Sequence, residues 1–97
     1  MSFEYILKCE QLPHSRTYKK VITFFHLLPR YTLSYEDGKS HGFINDSTED
    51  SWGADVEIEE QEKGIFITMH TGNQDFILNN LKKYFLQRSF ILKITEL

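Results

Sequence analysis

Apolar and polar residues alternate over residues 3–10. Phe3, Tyr5, Leu7 and Cys9 fall on one side and Glu4, Lys8 and Glu10 on the other, the period of a half-buried strand. Gln11, Leu12, Pro13 and His14 break the pattern, and Ser15 stands where a helix N-cap belongs. Tyr18, Val21, Ile22, Phe25 and Leu28 then recur at the spacing of one helical face, with Lys19, Lys20 and Thr23 opposite. Pro29 ends this helix, because a residue before proline is pushed out of the α region. Tyr31, Leu33 and Tyr35 alternate with Thr32, Ser34 and Glu36 in a second strand. Asp37-Gly38 is a turn signal, and residues 41–45 can pair back as a hairpin.

Residues 45–51 read as a polar loop. Trp52, Ala54, Val56 and Ile58 next alternate against Gly53, Asp55, Glu57 and Glu59, a strand with one apolar side and one almost purely acidic side. The acids suit an outer strand, where charge also deters edge-to-edge pairing. Residues 61–64 form a turn, and residues 65–71 are apolar on both sides, as in a central strand. Asn73 is placed to cap a second helix that turns Ile77, Leu78, Leu81, Tyr84 and Phe85 inward and Lys82, Lys83 and Gln87 outward. Residues 90–95 close the chain as a strand with Phe90, Leu92 and Ile94 inward.

The order β-α-β-(β)-β-β-α-β predicts one α+β domain over residues 1–97. Two helices pack on one face of a four- to six-stranded, mainly antiparallel sheet. This is an elaborated split βαβ, or ferredoxin-like, arrangement, from which the extra hairpin around residues 36–60 departs. A chain of 97 residues has room for one hydrophobic core, and 40% hydrophobic with 14% aromatic residues is a globular composition. Cys9 is the only cysteine, so no internal disulfide forms, in keeping with a reducing compartment. The first residues carry no basic stretch followed by an apolar run, and no apolar stretch approaches the roughly 18 residues of a membrane span. A cytoplasmic location is expected.

Charge changes this picture most. Residues 36–62 hold ten acids against Lys39, a net −9, and the segments on either side carry +3 each within a chain of −3. Catalytic patterns are missing by comparison. His14, His26, His41 and His70 form no H-x-H or H-x₃-H pair, and one cysteine supplies no zinc framework, so no metal or cofactor is expected. Cys9 lies on an apolar strand side, where a thiol is a small hydrophobe. The glycines never fall as G-x-G-x-x-G or G-x₄-G-K. Residues 46–57 imitate a calcium loop in length, but Ser51 replaces the turn-making glycine. Lys19-Lys20 and Lys82-Lys83 read as solvated helix faces, which argues against direct nucleic-acid binding.

The acidic segment is therefore the candidate site, with Glu36, Asp37, Asp46, Glu49, Asp50, Asp55, Glu57 and Glu59 around Trp52. Exposed aromatics among charges are the composition of binding hot spots, and an acidic patch suits a basic protein partner. A small, acidic, motif-poor α+β chain of this kind resembles the bacterial immunity proteins that neutralise toxins of contact-dependent and related interbacterial systems. The resemblance is one of size, charge and organisation over the whole chain and rests on no diagnostic motif. It implies a non-enzymatic inhibitor, monomeric or weakly dimeric, that blocks a cationic nuclease with acids standing where substrate phosphates would go. Two alternatives compete: a ferredoxin-like ligand-binding or regulatory domain acting as a homodimer, and a small enzyme using His41 or His70 with a neighbouring carboxylate.

Overall fold

A computed structural model describes residues 2–46, 54–70 and 73–97. Within them the chain runs β1 (Phe3–Lys8), α1 (His14–Leu27), β2 (Tyr31–Asp37), β3 (Ser40–Asn45), β4 (Val56–Gln61), β5 (Gly64–Met69), α2 (Gln74–Leu86) and β6 (Lys93–Glu96). The strands form one sheet in the order β2-β3-β4-β5-β1-β6, and every neighbouring pair is antiparallel. β2 to β5 are a meander whose last strand lies against β1. α1 carries the chain from β1 to the far edge, and α2 carries it from β5 across β1 to β6. The α+β class and the element order are as predicted, and the β6-β1-β5-β4 part has the split βαβ connectivity to which the β2–β3 hairpin is added.

Register divides the strand residues between two faces. Tyr5 and Leu7 sit opposite Ile67 and Ile65, Ile67 and Met69 opposite Ile58 and Val56, and Val56 and Ile58 opposite Phe43 and His41. All of these are buried, and both helices cover them with Tyr18, Val21, Ile22, Phe25, Ile77, Leu78, Leu81 and Phe85. Fully burying one such side chain contributes about 1.5–3 kcal/mol, so this helix-covered face holds most of the fold's stabilisation. The Phe25 and Phe43 rings stack at 5.4 Å, joining α1 to β3. The apolar strand expected over residues 65–71 is β5, which runs Gly64–Met69 and lies inside the sheet. No helix among the described residues is long and apolar enough to cross a membrane.

Several local expectations change. α1 begins at His14, not after Ser15: extended Pro13 occupies the cap position, and its carbonyl accepts from the Arg16 and Thr17 amides and the Thr17 hydroxyl. The inward stripe of α1 is wider than its spacing suggested, because Thr17 and Phe24 are buried too. In β2 the alternation fails at an irregularity between Leu33 and Tyr35, which leaves Leu33 41% exposed. β4 is an interior strand, third in the sheet, and begins at Val56; the edges are β2 and β6. The expected strand positions Trp52 and Gly53 lie outside the described residues. β6 is shorter than predicted and starts at Lys93, with Leu92 buried just before it.

Two left-handed residues shape the connections. Leu28-Pro29-Arg30-Tyr31 is a turn closed by the Tyr31 amide on the Leu28 carbonyl at 3.4 Å, with φ of 69° at Arg30. Proline second and a positive φ third is the type II pattern, in which glycine is the usual third residue. Ser89 follows α2 with φ of 67°, and the Phe90 amide reaches back to the Phe85 carbonyl in a helix-ending motif that also favours glycine.

Candidate functional site

The helices cover one face of the sheet, and the other carries the acids that β4 turns away from the core. Two rows of residues cross that face in register. Tyr35, Gly42, Glu57, Thr68 and Glu4 form the first, on β2, β3, β4, β5 and β1. Asp37, Ser40, Glu59, Phe66, Ile6 and Thr95 form the second, which reaches β6. Between the rows lies a shallow hollow of about 420 Å³, lined among others by Glu4, Tyr35, Glu57, Glu59 and Phe66. Phe66 and Ile6 are only half-buried, so the face mixes apolar surface with carboxylates.

Gly42 makes the first row possible. A Cβ there would stand 2.2 Å from Tyr35 Cε1 and 2.8 Å from the Ala54 Cβ, so the Tyr35 ring lies directly over the glycine. From that position the Tyr35 hydroxyl donates to Glu57 Oε1 at 3.3 Å. Burial, with the Glu57 and Glu59 carboxylates nearby, pushes the Tyr35 phenol above its ordinary pKa and keeps it a donor. His70 Nε2 lies 3.2 Å from Glu57 Oε2, so both oxygens of Glu57 have a neighbour that orients them. Glu59 is exposed and accepts from Gln61 Nε2 at 3.1 Å.

The remaining predicted site residues are placed differently or lie outside the described residues. Glu36 pairs in register with His41 on the helix-covered side, 63% exposed at the edge of β2, with its Oε1 3.5 Å from His41 Nε2. Asp55 precedes β4, and its Oδ2 accepts from the Asn45 amide at 2.7 Å, which ties the end of β3 to the start of β4. Asp46 is exposed at the opposite end of the hairpin from Asp37, its amide held by the Arg30 carbonyl. Glu49, Asp50 and Trp52 lie outside the described residues. The described part of the acidic segment is thus split: Asp37, Glu57 and Glu59 stand in the two rows, Asp55 follows on the same side of its strand, and Glu36 faces the helices.

Sequence reasoning missed Glu4, Tyr35 and Phe66 as members of the face. The alternation of β1 does place Glu4 outward, but only the β1–β5 pairing brings it beside Thr68 and Glu57.

His41 is buried, 9% exposed, between Tyr18 and Glu36. With Nε2–H directed at Glu36, Nδ1 accepts from the Tyr18 hydroxyl and both ring nitrogens are used. Burial, followed by the nearby Glu60 and Glu36 carboxylates, pushes the Tyr18 phenol up to about 12. Among the described residues, no three His, Cys, Asp or Glu side chains converge as a metal site. No family model, curated protein or solved structure matches the chain.

Proposed function

We propose that the chain is a non-enzymatic binding protein that takes a basic protein partner on its open sheet face, as an immunity-type inhibitor takes a cationic nuclease toxin in the cytoplasm. The observation that carries this reading is the arrangement of Glu4, Glu57 and Glu59 around Tyr35 and Phe66 on the face turned away from α1 and α2. Carboxylates ordered by hydrogen bonds before binding lose little freedom on meeting a cation. Opposite potentials also steer encounter, with association rate constants of roughly 10⁸–10⁹ M⁻¹s⁻¹ at low salt. Half-buried aromatic surface between the acids adds the apolar contact that charge alone lacks.

The same face argues against the homodimer alternative. Two copies meeting there would set Glu57 and Glu59 against their own kind, and like charges across an interface cost several kcal/mol. Acid–base chemistry at His41 finds little support either. A Tyr18 phenol raised to about 12 is ionised to the extent of about 10⁻⁵ at pH 7, so it pins helix to sheet and is no nucleophile.

The test is capture of partners from the native cell on the tagged chain, at low and high salt, alongside the Glu57→Lys/Glu59→Lys variant. One stoichiometric partner is expected, released by salt and bound at least tenfold more weakly by the charge-reversed chain. Undiminished binding to that variant would remove the open face from the proposal.

A further inference from the structure

On the opposite side of the molecule, a groove of about 730 Å³ runs between the C-terminal half of α1 and α2. That volume lies within the ordinary range for small-molecule sites. Phe24 and Tyr84 meet edge to face in its wall, with ring centroids 5.5 Å apart. Leu27 and Phe76 line it from the two helices and remain 65% and 64% exposed. Helix residues of this type are ordinarily covered, and here they flank one opening.

Polar features at the groove point to the kind of molecule that would cover them. Among the described residues its lining includes Arg30 and Lys83 and no carboxylate, in a chain whose net charge is −3. Tyr31, beside Arg30, also lines it; this residue is 8% exposed, and its hydroxyl is buried with no hydrogen-bond partner among the described residues. Arg30 holds the left-handed conformation that glycine would adopt without strain, so a long cationic side chain stands at this corner at a conformational cost. The negative end of α1 and the positive end of α2 both flank that corner, so their dipoles offset and the cationic character rests on the side chains.

We propose that this groove binds a small amphiphilic carboxylate, such as a medium-chain fatty acid, with its head at Arg30 and its tail between Leu27 and Phe76. The guanidinium pairs with the carboxylate through two parallel N–H donors, a geometry that a lysine could not reproduce. Lys83, on the flank of α2, adds a favourable field without fixing orientation. The site is independent of the open sheet face, since none of its lining residues belongs to either acidic row.

Isothermal titration of the full chain with decanoate, decanol and decyltrimethylammonium, each below its aggregation concentration, tests this directly. Decanoate should bind at one per chain and saturate, with decanol at least tenfold weaker and the cation weaker still. Arg30→Gly should weaken decanoate at least tenfold while raising the melting temperature, so lost binding cannot be lost folding. Absence of saturable decanoate binding, equal affinity for decanol, or undiminished affinity in Arg30→Gly would each overturn the proposal.

Discussion

Tyr18→Phe removes one oxygen from the core and nothing else. In the native chain that oxygen donates to His41 Nδ1, and both residues are at least nine-tenths buried, at 6% and 9% exposure. The variant leaves the imidazole nitrogen in the core without its donor. Stranding a buried acceptor costs about 1–3 kcal/mol, more than the 0.5–1.5 kcal/mol net worth of an ordinary hydrogen bond. For a domain of this size each kcal/mol lowers the melting temperature by about 4–8 °C. Tyr18→Phe should therefore melt at least about 4 °C below the native chain. His41→Leu in the Tyr18→Phe background should recover most of that loss, because replacing both partners by apolar groups of similar shape is nearly neutral.

The alkaline limb supplies an independent reading of the burial of the same hydroxyl. Folding raises the Tyr18 pKa from 10.0 to about 12. A group whose folded pKa is raised contributes stability that is whole below the unfolded value and lost as pH climbs through the folded one. Between about pH 10 and pH 12 the unfolded chain ionises this phenol while the folded chain resists. Stability then falls by up to about 1.4 kcal/mol per pH unit from this group. Urea unfolding at pH 8, 10 and 11 should show a steeper decline in the native chain than in Tyr18→Phe. Tyr5 and Tyr35, also raised by burial, contribute equally to both chains and cancel in the comparison. A loss below 0.5 kcal/mol at pH 8 would refute the account of Tyr18 as the anchor of His41, and parallel pH profiles would refute the burial of its hydroxyl.

Two further substitutions probe other parts of the structure. Gly42→Ala drives a methyl into the Tyr35 ring and Ala54 and should cost about 1–3 kcal/mol in urea unfolding; in a Tyr35→Ala background the cost should fall by at least half. Ser89→Gly relieves a left-handed residue at the end of α2 and should stabilise by about 0.5–1 kcal/mol, with far-UV circular dichroism unchanged.

How far the fold could be read in advance depended on how local its causes are. Period-2 and period-3.6 patterns name the strands and helices because a side chain's direction follows from its own backbone. Strand order does not follow in this way. β4 carries acids at Glu57 and Glu59 and so resembles an outer strand, yet it lies inside the sheet because only its non-core face is polar and that face is left open. The candidate acids divide between two faces for a related reason. Glu36 and Asp37 are adjacent in sequence, and a strand sends adjacent residues to opposite faces, so one joins His41 and the other Ser40. Glu4, more than fifty positions before Glu57, meets it only through β5. Tyr31 shows the limit most sharply. In sequence it is the first apolar residue of an alternating strand, indistinguishable from Leu33 or Tyr35. Its burial beside an exposed interhelical groove comes from where α1 stops and β2 begins, and that is set by Pro29 and the left-handed Arg30 between them. A cation, an orphaned hydroxyl and uncovered apolar side chains meet there through the turn's geometry, which no pattern of residue types along the chain expresses.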